Sequence, residues 1–234
     1  MFGILFWNKT LKFVLKFVAM NKKLLAAFIP AIVAIGCTAK TQSSKLSTSI
    51  MNINENVDTA TFATGCFWCT EAIFEELKGV LKVTSGYSNG EVKNPTYKQV
   101  TTGETGHAEC VQVQYESDKI SFDELLEVFF QVHDPTSLNR QGADEGTQYR
   151  SAVFYHNNQQ KDRAEYYKAE LTKSGAYNKP IVTEIAAAAT FYPAEDYHQE
   201  YYQSNKNSNP YCAVVIRPKL EKFQKVFADK LKGN

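Results

Sequence analysis

Two cysteines in the segment TGCFWCTEAIFEELKGV, Cys66 and Cys69, enclose a phenylalanine and a tryptophan. A C-x-x-C spacing suits a redox thiol, a metal site or a pair of structural cysteines. A zinc site needs a second pair of ligands at comparable spacing, whereas this sequence offers only four scattered histidines besides its other cysteines. We therefore expect no metal, which leaves a redox thiol or a structural pair.

Cys66 follows Gly65 at the point where a predicted strand runs into a predicted helix. The unpaired backbone N–H groups and the positive dipole end of a helix stabilise a thiolate, which is the nucleophilic form of cysteine. We therefore predict that Cys66 is the nucleophile, with Cys69 within reach across the first helical turn.

The aromatic pair between the cysteines indicates what kind of redox thiol this would be. A general disulfide exchanger handles large and varied proteins and has small or turn-forming residues between its cysteines. Phe67 and Trp68 would instead build the wall of a pocket for a small apolar group such as a methyl. The alternative is a thiol-disulfide oxidoreductase that uses Cys66 and Cys69 and docks peptides on the two rings.

A carboxylate occurs on what is expected to be a buried strand face. The sequence HAECVQVQY alternates as a strand does, so Glu109 shares its face with Val111, Val113 and Tyr115. Desolvation there should raise the pKa of Glu109, allowing it to hold a proton near neutral pH. A wrongly assigned inner face or a buried ion pair would be equally consistent with the pattern. The same parity turns Cys110 to the opposite face, where we interpret it as a structural thiol.

A long polar loop, HDPTSLNRQGADEGTQYRS, lies between a predicted helix and a predicted strand. Such a loop is either solvated surface or a hydrogen-bonding wall of a site. The polar side chains that would form that wall are Asn139, Gln141, Asp144, Gln148, Tyr149 and Arg150.

The elements that must position these residues mix strands and helices without strict alternation. Strands are predicted at 59–64, 80–87, 107–116, 151–156 and 180–188. Helices are predicted at 67–77, 121–132, 159–173, 193–202 and 218–232. We therefore expect an α+β fold: a two-layer α/β sandwich, a ferredoxin-like roll, with a mixed, mostly antiparallel sheet and flanking helices.

Residues 1–37 are expected to be a signal and lipoprotein leader. From Met20 the chain has two lysines, an uncharged apolar run over 24–36 and then Cys37, the pattern of an export signal. Gly36 before Cys37 resembles a lipobox, so we predict lipidation of Cys37 and a lipid-anchored location in the cell envelope, facing the periplasm or at the outer membrane. Ordinary cleavage nearby, leaving a free Cys37, is the alternative.

The rest of the chain is predicted to be a flexible tether at 38–57 and a single catalytic domain at 58–234. The 26 basic and 25 acidic residues are interspersed and leave a formal net charge of +1. That balance excludes the basic surface by which proteins hold nucleic acid. We expect a monomer that meets the membrane only through its lipid anchor.

Six motifs together resemble the peptide methionine sulfoxide reductase A family: GCFWCTEAIFEELKGV, SGYSNG, NPTYKQV, TGHAE, HDPTSLNRQGADEGTQYRS and AEDYHQEYY. The resemblance extends over about residues 61–227, and six motifs in order are far more specific than C-F-W-C alone. It implies an enzyme that reduces the S epimer of methionine sulfoxide in oxidised proteins or peptides, with free methionine sulfoxide as a second candidate substrate.

The resemblance also implies roles for individual residues. Cys66 attacks the sulfoxide and becomes a sulfenic acid, Phe67 and Trp68 hold the substrate methyl group, and Glu109 lends a proton to the oxygen. Tyr97, Asp144 and Tyr149 complete the pocket, and His198 matches a family histidine that we assign to substrate binding.

A second thiol must then convert the sulfenic acid into a disulfide. Most family members have glycine in place of Cys69 and carry the resolving cysteine in a glycine-rich tail, whereas Cys212 here precedes an apolar run and a helix. We rank Cys212 first and Cys69 second, with direct reduction by an external thiol as a third route. A thioredoxin-like or dithiol reductant completes the cycle without an organic cofactor or metal.

Overall fold

The computed structural model describes residues 56–233. The predicted leader, the lipidation site Cys37 and nearly all of the predicted tether lie outside this range. The tether prediction was one residue too long, because Val57 is already the first residue of strand β1. No helix among the described residues is long and apolar enough to cross a membrane.

A six-stranded sheet has the order β7-β6-β1-β3-β2-β8. Its strands are β1 (Val57–Thr64), β2 (Val80–Ser88), β3 (Ala108–Glu116), β6 (Ser151–Tyr155), β7 (Glu184–Ala187) and β8 (Tyr192–Pro193). All neighbours are antiparallel except β6 and β7, which are parallel. The loop that precedes β6 holds a separate two-stranded hairpin, β4 (Arg140–Gln141) and β5 (Asp144–Glu145).

Helices flank this sheet. They are α1 (Phe67–Phe74), α2 (Tyr97–Val100), α3 (Phe122–Val132), α4 (Asn158–Lys173), α5 (Tyr201–Asn205) and α6 (Arg217–Val226). A π-helix at Cys212–Ile216 runs directly into α6, and 3₁₀ turns cover Thr147–Tyr149, Asp196–His198 and Ala228–Lys230. The mixed, mostly antiparallel sheet with flanking helices confirms the predicted α+β two-layer class.

The core lies on both faces of the sheet. On one face, Phe62 of β1 packs its ring 5.2 Å from Phe74 of α1 and 5.4 Å from Phe129 of α3. On the other face, four small side chains and one phenylalanine form a second apolar cluster: Ala63, Ala108, Cys110, Ala152 and Phe154. Burial of such large side chains stabilises the fold by about 2 kcal/mol each, so the Phe62 cluster anchors α1 to the sheet.

Three of the predicted helices were partly wrong. The first ends at Phe74 rather than residue 77, because Lys78 N–H and Leu77 pair with the C-terminal segment at Lys230 and Leu231. The helix predicted at 193–202 is broken, since Glu200 has a left-handed φ of 49° and α5 starts only at Tyr201. The last helix starts before 218 and ends at Val226.

Candidate active site

Strand β1 ends in a turn that delivers Cys66 to the start of helix α1. Gly65 makes that turn with a φ of +95°, which a residue with a side chain rarely adopts. Cys66 is the N-cap residue of α1, and its carbonyl accepts hydrogen bonds from the N–H groups of Cys69 and Thr70. Cys66 is 8% exposed, so its thiol is largely shielded from solvent.

Glu109 of β3 lies directly beside this helix start. Its Oε2 accepts a hydrogen bond of 3.2 Å from the backbone N–H of Phe67, the residue after Cys66. Glu109 is 1% exposed, and its Oε1 has no partner among the described residues. Burial raises the pKa of Glu109 to about 8, with the negative charges of Asp144 and Cys69 adding to the effect. A protonated acid with one unpartnered oxygen therefore lies beside the start of α1 near neutral pH.

The position of Glu109 agrees with the period-two interpretation of β3. Cys110 points to the opposite face, where its thiol donates a weak hydrogen bond to the Gly86 carbonyl at 3.7 Å. Cys110 is completely buried in the small-residue cluster, as expected for a structural thiol.

Several aromatic side chains pack against Phe67 and Trp68 of α1. Phe67 is 1% exposed and stacks on Tyr97 of α2 at 6.3 Å and 6°. Trp68 is half-buried, and its indole N–H donates to Nδ1 of His198 at 3.0 Å. His198 therefore carries its proton on Nε2, which has no partner among the described residues. These side chains thus form an aromatic cluster beside two buried polar atoms, Glu109 Oε1 and His198 Nε2, that have no partner among the described residues.

Tyr97 and Tyr149 supply hydroxyl groups near the acid. Burial raises the pKa of both phenols, and the charges of Glu109 and Cys66 raise them further, so both keep their protons. Glu195 fixes Tyr97 by accepting its backbone N–H at 2.9 Å while the other carboxylate oxygen accepts the Tyr87 hydroxyl. The predicted residues Tyr97, Glu109 and Tyr149 thus surround Cys66.

Asp144 also lies at the site, where it contacts Tyr211 rather than a cysteine. Its Oδ2 accepts a hydrogen bond of 2.9 Å from the hydroxyl of Tyr211. The Tyr211 hydroxyl also has a lowering effect on the pKa of Cys66 and of Cys69. The sequence motifs did not indicate Tyr211, which precedes Cys212 at the start of the π-helix.

Three further residues of the site were missed. Tyr201 stacks on Trp68 at 3.7 Å and 5°, and Glu195 and Tyr87 hold Tyr97 in place as described above. Tyr201 and Glu195 both lie within the motif AEDYHQEYY, so their closeness in sequence to His198 could have indicated that they belong to the site.

The pKa of Cys66 differs from the sequence-based expectation that the helix start would favour its thiolate. Burial raises the pKa of Cys66 well above its usual value, and the neighbouring Cys69 and Glu109 charges raise it further. The pKa of Cys69 is lowered, first by a hydrogen bond from Cys66 and then by the positive charge of Lys219. Burial of the Cys66 thiol therefore opposes the thiolate that its position at the start of α1 would favour.

Cys212 is completely buried at the start of the π-helix. Burial raises the pKa of its thiol, and the negative charge of Cys69 raises it further. The described residues contain no group of three or more His, Cys, Asp or Glu side chains that could hold a metal ion.

The comparisons with known proteins agree with this geometry. A family model described as peptide methionine sulfoxide reductase matches residues 58–231. Peptide methionine sulfoxide reductase MsrA 1 of Rhodopirellula baltica is 54% identical over 178 residues, which are 76% of this chain and 91% of that protein. The MsrA of Saccharolobus solfataricus is 52% identical over 75% of this chain and 98% of its own length.

A solved structure is also similar. Mxr1 of Saccharomyces cerevisiae in its reduced form superposes with a TM-score of 0.61 at 35% sequence identity, covering 71% of this chain and 95% of that chain. The chain therefore belongs to the peptide methionine sulfoxide reductase A family and is an enzyme that reduces methionine sulfoxide.

Proposed function

We propose that the enzyme reduces the S epimer of methionine sulfoxide in peptides and proteins through a sulfenic acid on Cys66. The observation that carries the proposal is the contact of Glu109 with the N–H of Phe67, which sets a protonated acid with a free oxygen beside the nucleophile. Phe67 and Trp68 hold the substrate methyl group, and the hydroxyls of Tyr97 and Tyr149 bind the sulfoxide oxygen.

The first half-reaction converts Cys66–SH and methionine S-oxide into Cys66–SOH and methionine. As the Cys66 sulfur loses its proton to solvent and bonds the sulfoxide sulfur, Glu109 protonates the oxygen. The sulfur–oxygen bond of the substrate breaks and the oxygen leaves as hydroxide. The hydroxide then bonds the Cys66 sulfur, the bond between the two sulfurs breaks, and methionine is released. Cys66 is oxidised and the substrate sulfur is reduced by two electrons.

We propose that Cys69, rather than Cys212, resolves the sulfenic acid. Cys69 lies one helical turn from Cys66, and its backbone N–H donates to the Cys66 carbonyl at 3.2 Å, whereas Cys212 is completely buried and begins a π-helix. Attack of Cys69–SH on Cys66–SOH forms the disulfide and releases water. A thioredoxin-like dithiol then reduces that disulfide and is itself oxidised. This proposal reverses our sequence-based ranking of the two thiols.

The test supplies the reduced protein with one equivalent of a peptide carrying a single sulfoxide epimer, without reductant. Wild type should release methionine from the S epimer and form a Cys66–Cys69 disulfide, detected by mass spectrometry of digested protein. Cys66→Ser should release none. Cys69→Ser should release one equivalent and leave a sulfenic acid that dimedone traps. Cys110→Ala, which removes a thiol from the opposite face, should behave as wild type.

Two outcomes would contradict this scheme. A Cys66–Cys212 disulfide in wild type would restore the sequence-based ranking of the resolving thiols. Failure of Cys69→Ser to consume the sulfoxide would favour the thiol-disulfide oxidoreductase that uses both Cys66 and Cys69.

We further propose that the chain is exported and anchored by a lipid on Cys37, as a monomer. The support is the sequence pattern of the leader alone. Mass spectrometry of the protein from the membrane fraction should find a lipidated N-terminal cysteine, and Cys37→Ser should release the protein from that fraction. An unmodified Cys37 in membrane-extracted protein would refute the anchor.

A further inference from the structure

We propose that Glu71 is a positioning residue that holds the ring of Tyr201 against Trp68 and so shapes the aromatic cluster of the active site. The inference deepens the proposed function and rests on it, because that function assigns Trp68 to the methyl group of the substrate. Glu71 lies on α1 one helical turn after Trp68 and has no part in the chemistry described above.

The carboxyl group of Glu71 is buried and makes one hydrogen bond. The residue is 1% exposed, and its Oε2 accepts the backbone N–H of Tyr201 at 3.2 Å. Its Oε1 is buried and has no partner among the described residues. An unpaired buried oxygen costs stability that an apolar side chain of similar size would not. The bond to Tyr201 is therefore what a carboxyl group supplies at this position.

The chain is strained where it enters Tyr201. The preceding residue, Glu200, has a left-handed φ of 49° and ψ of 36°. Such a conformation is unfavourable for a residue with a side chain and persists where the surrounding contacts enforce it. Tyr201 begins α5, so its backbone N–H has no acceptor within that helix. Glu71 provides the acceptor from α1 and thereby stabilises the turn that brings the Tyr201 ring to Trp68.

The other hydrogen bonds of Tyr201 do not set its position relative to α1. The Asn209 amide donates to the Tyr201 hydroxyl at 2.8 Å, and the Asn205 amide donates to the Tyr201 carbonyl at 3.0 Å. Both asparagines belong to the same C-terminal segment as Tyr201. Glu71 and Trp68 instead share one helix, so the bond from Glu71 fixes the ring that lies parallel to Trp68 at 3.7 Å and 5°.

The test follows the indole N–H of Trp68 by heteronuclear NMR. The sequence has two tryptophans, so a Trp7→Phe background leaves Trp68 as the single indole signal. Tyr201→Leu defines where this signal lies when the stacked ring is absent. Glu71→Leu, which cannot accept a hydrogen bond, should move the signal at least halfway to that position. Glu71→Gln, whose amide oxygen still accepts the Tyr201 N–H, should keep it at the wild-type position.

Two results would overturn the proposal: an unmoved signal in Glu71→Leu, or a movement in Glu71→Gln as large as in Glu71→Leu. If Glu71→Leu fails to fold by circular dichroism, Glu71→Asp decides. Its carboxylate keeps the charge but is one CH₂ shorter, which draws the acceptor away from the Tyr201 N–H. A moved signal in Glu71→Asp supports the proposal, and an unmoved one overturns it.

A matched control removes another buried carboxylate. Glu127 of α3 is 6% exposed, and its Oε2 lies 3.6 Å from Nζ of Lys230. Glu127→Leu should lower the stability of the protein and leave the Trp68 signal in place. If the signal moves in this variant as far as in Glu71→Leu, it reports a general loss of stability and the proposal is overturned.

Steady-state reduction of a sulfoxide peptide links this position to substrate binding. Glu71→Leu should raise KM about fivefold, the effect of losing one aromatic contact, with kcat within about twofold of wild type. An unchanged KM beside a moved indole signal would overturn the role in substrate binding. The NMR samples contain no sulfoxide, so a wild type that releases no methionine in the turnover assay would refute the proposed function without deciding the contact of Glu71 with Tyr201.

Discussion

The carboxyl group of Glu109 has an unequal pair of oxygens. Oε2 is fixed by the N–H of Phe67, whereas Oε1 is buried and has no partner among the described residues. An unpaired buried polar atom costs stability, which a fold selected for stability alone would avoid. At this residue the cost is coupled to function, because the same burial that destabilises the carboxylate keeps the acid protonated.

Glu109→Gln should therefore stabilise the protein and inactivate it. The folded-state pKa of about 8 exceeds the ordinary value of 4.5, so the folded state binds more protons than the unfolded state between those pH values. Wild-type stability falls as pH rises through this window, by about 5 kcal/mol in total. The variant should lose that dependence, so its advantage in urea unfolding should grow from pH 5 to pH 8.

The activity of the same variant provides the second readout. Single-turnover methionine release by wild type should decrease as pH rises through about 8, because Glu109 then loses the proton that the sulfoxide oxygen needs. Glu109→Gln should be slower at every pH and show no such decrease. A variant that loses activity but has wild-type stability at pH 8 would show that the carboxylate is not destabilised by burial.

At the scale of elements, the junction between β1 and α1 depends on Gly65. A Cβ added to Gly65 would lie 2.5 Å from Cβ of Gln141. Gln141 has no room to move, since its side-chain amide accepts from the N–H of Asp134 and donates to the Asp134 carbonyl. The turn that presents Cys66 and the hairpin that presents Asp144 are therefore packed against each other through this glycine.

Gly65→Ala should destabilise the protein by about 3 kcal/mol, combining the strain of a positive φ with the overlap against Gln141. Methionine release should fall as well, because the turn sets the position of the Cys66 sulfur. The matched control is Gly142→Ala, whose φ is +64° with no atom within 4 Å of the added Cβ. It should cost only about 1 kcal/mol in chemical denaturation. Equal losses in the two variants would contradict the packing of Gly65 on Gln141.

Local sequence patterns predicted the elements whose stability is local. The capping box at Ser121 and Glu124 forms as expected, with the Ser121 side chain accepting the Glu124 N–H. The helix predicted at 193–202 was wrong, because Glu195 is recruited by Tyr97 and Tyr87 from elsewhere in the chain. A tertiary contact of that kind leaves no periodic signal in the sequence.

The same distinction applies to the site. Cys66, Phe67, Trp68 and Glu109 could be found from spacing and strand parity, since each sits on an element that carries its own pattern. Tyr211 could not, because it meets Asp144 and Trp68 only through tertiary packing. The raised pKa of Cys66 was also beyond the sequence, because desolvation depends on everything that surrounds the sulfur.

At the scale of the whole molecule, the C-terminal segment closes the fold beneath helix α1. Lys78 N–H donates to the Lys230 carbonyl, and Lys232 N–H donates to the Glu76 carbonyl. These bonds seat Leu231 against the completely buried Leu77, while Phe227 packs on Phe223 at 5.2 Å. The helix that carries Cys69 is thus supported by residues from the far end of the chain.

Removing residues 227–234 should lower the free energy of unfolding by about 3 to 6 kcal/mol, the contribution of burying Phe227 and Leu231. Removing only residues 233–234 should change it little, because Gly233 is exposed and contacts nothing within 4 Å of an added Cβ. Guanidinium unfolding of the two truncated proteins measures the difference. A longer truncation as stable as wild type would refute the support of α1 by this segment.

The burial of Cys66, with 8% of that residue exposed, also limits which damage the enzyme can repair. An oxidised side chain must leave its own host and extend fully to touch the sulfur, which a residue locked inside a stable neighbour cannot do. We therefore expect the enzyme to act on substrate proteins in which local unfolding exposes the oxidised methionine. A methionine sulfoxide that disrupts the packing of its protein would therefore be reduced, whereas one that stays buried in an intact core would not.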